Sequence, residues 1–110
     1  MSDETPDISA DLADPEVRKA LLNTETAKIP WRELQRYFAS GAAIAVAPEL
    51  DLVTVGAEVM ADNKAVVEAW ISEGKIGPVS DRQAGQWYDG DVLVWAVVLS
   101  PWVLVQPARD

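Results

Sequence analysis

The chain is 110 residues long with a formal net charge of −9, a pI near 4.3, five tryptophans, and neither cysteine nor histidine. That length fits one domain, able to bury a core without metals or cross-links. The missing residue types remove disulfides, thiolate catalysis, thiolate zinc sites and every catalytic triad built on imidazole. No cofactor is implied.

The acidic excess is concentrated at the front. Residues 1–26 hold seven acids and two bases, net −5, and the remainder is net −4. A reader of DNA or RNA needs a basic face to neutralise phosphates, and none is visible, so nucleic acid is not an expected partner. Mimicry of nucleic acid needs acids gathered on one folded face, and half of this excess lies at the front instead. Met1–Ala13 is polar, acidic and aperiodic, which predicts a disordered tail before a single domain over 14–107. The start has no basic region followed by an apolar one, so it does not read as a signal peptide.

Asp14-Pro15-Glu16 reads as a helix start: a capping carboxylate, proline at the first position and an acid in the first turn. Val17, Ala20, Leu21 and Thr24 share one face, and the helix should end by about Thr26. Pro30 suits the first position of a second helix. There Trp31, Leu34, Tyr37 and Phe38 form one apolar face, and Gly41 follows as terminator. Two successive helices invite a helix-turn-helix reading, but a recognition helix without basic surplus reads DNA poorly.

Ala43–Ala47 predicts a short strand and Pro48–Asp51 a turn. In Leu52–Met60, Val53, Val55, Ala57 and Val59 alternate with Thr54, Gly56 and Glu58, the period of a strand. Leu52, Val55, Val59 and Met60 also mark a helical face, with Asp51 as its cap. The β-branched content and the central Gly56 favour the strand, which would form a hairpin with Ala43–Ala47. Asp62-Asn63 caps a third helix, with Val66, Val67, Trp70 and Ile71 inward and Gly74 at its end. Gly77-Pro78 predicts a turn. Ser80 and Gln83 form a capping box for a helix that turns Ala84, Trp87 and Tyr88 inward and stops at Gly90.

The longest apolar run follows. Val92–Leu99 contains no polar residue and no alternation, which predicts a central strand buried on both faces. Ser100-Pro101 breaks the run, because proline cannot donate to a ladder. Trp102–Gln106 then forms a last strand. A membrane span needs about 20 continuous apolar residues. This run is shorter, acidic at its start and broken by proline, so no membrane partner is expected. The sum is an α+β fold: a small, mainly antiparallel sheet of about four strands covered by three or four helices.

The groups able to do acid–base or oxygen-ligand chemistry are carboxylates. Glu49 and Asp51 flank a turn, and Asp62 and Asp81 stand at helix starts. Two of them brought together would bind a divalent cation or act as an acid–base pair. Helix and turn chemistry already accounts for Asp51, Asp62 and Asp81, and no calcium-loop spacing is present. Phosphate loops and nucleophile elbows are also missing. Large aromatics usually end mostly buried, so core packing is expected of the tryptophans. Trp102, placed after Pro101 where the strand bends, is the one whose ring has a route to the surface. With Gln106 at the far end of the same strand, it is a candidate for partner contact. These features favour a non-catalytic interaction or assembly module with a protein partner or a second copy of the chain. An apolar terminal strand with an unpaired edge would serve the second case. The alternative is a domain regulated by a small molecule or divalent cation, or a carboxylate-based enzyme.

Leu50–Val55, Trp70, Ser80-Asp81 and Pro101–Gln106 together resemble a small bacterial family of uncharacterised proteins. Its members carry an LDLVEVA-like block, a helix with a central tryptophan and a terminal PWVLVQ. The likeness covers Ile29–Gln106, with Thr54 and Gly56 standing in place of Glu and Ala. It implies a bacterial cytoplasmic protein and carries over no catalytic or binding residue.

Overall fold

Both cores of the molecule lie against one five-stranded sheet, one on each face. The structure is a computed structural model and describes residues 14–99 and 101–108; the tail expected over 1–13 lies outside them. In chain order the elements are α1 (Pro15–Glu25), β1 (Ala27–Pro30), a 3₁₀ turn (Trp31–Leu34) and α2 (Gln35–Ala39). Then come β2 (Ala43–Val46), α3 (Leu52–Met60), α4 (Lys64–Ser72), β3 (Ile76–Pro78), α5 (Asp81–Asp89), β4 (Leu93–Leu99) and β5 (Trp102–Pro107). The strand order is β1-β4-β5-β2-β3, antiparallel throughout except that β2 and β5 run parallel.

Side-chain alternation along the strands divides the core. Val94, Ala96, Val103, Val105 and Ala43 meet Trp31, Leu34, Ala84 and Trp87 on one face. Val97, Leu104, Val46 and Ile76 meet Leu22, Leu52, Val55 and Ala57 on the other. The result is three layers, with the 3₁₀ turn, α2 and α5 on one side and α1, α3 and α4 on the other. Trp31 is fully buried. Its indole Nε1 donates to the carbonyl of Ala84 at 3.1 Å, and Trp87 meets it edge to face at a centroid distance of 5.1 Å.

The helix starts follow their local chemistry. Asp14 accepts from the Glu16 N–H at 2.9 Å with Pro15 behind it. Ser80 and Gln83 complete the reciprocal capping box of α5. Gly41 and Gly74, at φ +80° and +74°, terminate their helices in the left-handed region.

Several expectations are overturned. Leu52–Met60 is a helix, not a strand paired with Ala43–Ala47. The reason is that β2 already has β5 on one side and β3 on the other. The segment instead packs on the sheet beside α1, where Leu22 comes so close that a Cβ on Gly56 would lie 3.2 Å from it. Pro30 closes β1 rather than opening a helix. The ladder continues one step beyond it, through the Trp31 N–H bonded to Val92. Gly77-Pro78 lies in β3, where an edge position tolerates proline. Asp62 sits at φ 55° as the left-handed residue after α3, and Asn63 alone stands at the N-cap of α4, with its Nδ2 donating to Glu58. Ile71 and Tyr88, expected inward, are exposed, while Val66, Val67 and Trp70 are half-buried.

The long apolar strand is not buried on both faces along its length. Leu93, Trp95 and Val98 of β4 are exposed, and so is Trp102 of β5. A seven-residue strand spans about 23 Å, whereas a nine-residue helix spans about 13 Å, so the covering helices leave its ends bare. Nor is β5 an edge. It is the middle strand of the sheet, paired on both sides, and the expected unpaired terminal edge does not exist.

Candidate binding surface

The six nominated residues do not assemble into one site. Glu49 is exposed in the loop after β2. Asp51 stands at the cap of α3, where its Oδ2 accepts from the Thr54 hydroxyl at 2.9 Å. Asp62 and Asp81 lie on opposite faces of the sheet, Asp62 in the α3–α4 junction and Asp81 in the first turn of α5. No group of three or more metal-ligating side chains converges among the described residues. Asp51 and Gln106 share a depression, a cleft of about 240 Å³ that also includes Trp95. Gln106 is engaged structurally there. Its Nε2 donates to the carbonyls of Ala47 and Leu50, each at 2.7 Å, and so ties the loop before α3 to the central strand. Lys28 lies 5.1 Å from the centre of the Trp95 ring and shields one side of it.

Trp102 belongs to a different and chemically simpler feature. It shares its sheet face with Leu104, next to Ile44 of β2 and Ile76 of β3. Val67 and Ile71 of α4 stand opposite, with Val59 at the end of α3. Together with Gly77 and Pro78 they enclose a cleft of about 290 Å³ whose side chains are all apolar. Two large walls of it are open to water, Trp102 at 44% exposure and Ile71 at 54%. A larger hollow of about 540 Å³ lies at the β2–β3 end and includes Lys75, Gln83 and Gln86, but it lacks this continuous apolar lining.

The cleft exists because of two sequence features. Pro101 turns the chain so that Trp102 opens β5 at the tip of the hairpin, beyond the cover of α4. The Gly74–Lys75 reversal then brings β3 back beside β2 and under Ile71. Sequence reasoning singled out Trp102 and missed Ile71. On a helical wheel Ile71 falls beside Val67 and Trp70, and only the tertiary path of β3 shows that it overhangs the sheet edge.

Both sheet edges are closed to strand addition. In β1 and β3 alternate residues point their N–H groups into the sheet. The outward positions are Lys28 and Pro30 in β1, and Ile76 and Pro78 in β3, so each edge turns out a single N–H. Short edges with lysine and proline are a standard protection against pairing.

Charge is unequal between the faces. Residues 14–25 and 51–75, which build the cleft side, contain eight acids and four bases. Residues 31–39 and 81–91, on the other side, contain four acids and three bases.

The fold places this chain among small α+β domains with a sheet covered on both faces. Over residues 16–107 it matches the family described as protein of unknown function (DUF2288), and it belongs to that family. It is similar to the NMR solution structure of PA1075 from Pseudomonas aeruginosa, at 35% identity and a TM-score of 0.72, covering 100% of this chain and 93% of that one. No curated protein matches the chain. No helix among the described residues is long and apolar enough to cross a membrane.

Proposed function

We propose that the domain is a non-catalytic protein-interaction module and that the cleft between Trp102 and Ile71 is its binding surface. The observation that carries this reading is the open apolar cleft itself. Covering large aromatic and aliphatic side chains that stand half in water lowers the free energy, and aromatic anchors of this kind dominate protein interfaces. Among the described residues the carboxylates do not converge.

A neutral solvatochromic dye such as Nile red tests the reading. Its emission should rise on titration into the protein and fall back when Trp102→Ala or Ile71→Ser removes a wall. Both side chains are exposed, so the fold should survive either change. No enhancement, or enhancement indifferent to both substitutions, sinks the proposal. A second reading, a small polar ligand at Asp51 and Trp95, is favoured by their shared cleft. It predicts amide shifts around Asp51 when Mg²⁺, Ca²⁺ or nucleotides are added, and none around Trp102.

A further inference from the structure

We infer that the occupant of the Trp102 cleft is a cationic amphipathic segment of a protein partner: aliphatic anchors on one side, lysines or arginines beside them. The inference rests on the interaction reading above and names the chemistry of the partner.

Three observations select it. First, the cleft does not end at its apolar wall. Val59 and Val67 line both the cleft and an adjoining groove that contains Asp62 and Glu68, with Lys64 as the groove's base. An apolar anchor in the cleft therefore brings the next turn of the same segment over two exposed carboxylates. Second, the wider surface agrees with the groove, since the segments on this side hold eight acids against four bases, whereas the other side is nearly balanced. Opposite charge steers such a partner in, and like charge works against the competing occupants: a second copy of a chain at −9, or an anionic membrane surface. Third, the neighbouring edge strand β3 turns out one N–H and contains Pro78, so a partner gains little by adding as a strand and must be held through side chains.

The test uses two synthetic helices of about 18 residues, roughly five turns, with the same leucine face. One carries lysine on its polar face and the other glutamate. Each is titrated into the full chain by calorimetry at low and high salt, with amide shifts recorded in parallel. The lysine peptide should bind about tenfold or more tightly than the glutamate peptide, and the gap should close with salt. Asp62→Asn combined with Glu68→Gln should narrow the gap while leaving the glutamate peptide's affinity unchanged or improved. Trp102→Ala should weaken both peptides, with wild-type shifts centred on Ile76, Gly77 and Trp102.

The outcomes separate the two layers of the argument. Equal binding of both peptides at the cleft overturns the cationic partner and leaves the interaction surface standing. Binding of the lysine peptide that ignores Trp102→Ala is non-specific attraction and also overturns the inference. Loss of all peptide binding together with a negative dye titration removes the interaction surface itself. Concentration-dependent dimers formed through Trp102 would assign the cleft to a second copy instead.

Discussion

Asp62 and Asp91 occupy the same backbone region, at φ 55° and 49°, for different returns. Asp91 sits beside Arg32 at 3.7 Å, an exposed pair of small worth, while that guanidinium also donates to the Tyr88 carbonyl and stacks on the Tyr88 ring. Among the described residues the Asp62 side chain makes no hydrogen bond or ion pair, and its backbone only forms the left-handed turn between α3 and α4. Glycine adopts that turn without steric cost. Asp62→Gly should therefore stabilise the fold by about 0.5 kcal/mol and raise the melting temperature by about 3 °C, readable by calorimetry. Gly56 presents the opposite case. It lies mid-helix, where glycine is disfavoured, but Leu22 and Leu99 close over it. Gly56→Leu should destabilise the protein by about 2 kcal/mol in urea denaturation, because α1 would have to lift from α3.

At the scale of elements, what was legible is what local chemistry decides. Asp14-Pro15, Ser80 with Gln83, Gly41 and Gly74 all mark helix ends through backbone groups within a few residues, and each mark is found in place. The Trp31 and Trp87 faces were legible for the same reason: their periodicity points at one neighbour. Leu52–Met60 was not legible. Its alternation and its helical face are both present in the residues, and the choice was made by the absence of any free place beside β2. The bare ends of β4 were hidden for a related reason. A run of apolar residues reports affinity for a core, while exposure depends on how far the covering helices reach. At the candidate site the same division holds. Pro101 marks the bend that exposes Trp102, but Ile71, Ile44 and Pro78 join it only through the β2–β3 pairing. Asp51 and Gln106 come together because strand β5 passes the loop after β2, a parallel contact that no local pattern announces.

For the molecule as a whole, the two faces divide the work. The side with Trp31 and Trp87 is closed by edge-to-face rings and a buried indole hydrogen bond, and it is nearly neutral in charge. The side with α1, α3 and α4 is acidic and leaves an apolar opening lined in part by the core residues Ile76 and Leu104. Position in the sheet has a further consequence, one for biosynthesis. The strand that joins the two halves of the sheet, β5, is the last of the five to be made. Until it leaves the ribosome, β1 and β4 can pair with each other and β2 with β3, but no strand ladder joins these pairs. The protein should thus fold only after translation has passed Pro107, through contacts distant in sequence and correspondingly slow to form. A chain stopped at Ser100 should show no cooperative unfolding transition by circular dichroism, although it retains every helix-forming segment. A sharp transition in that truncated chain would show that the halves cohere without their central strand.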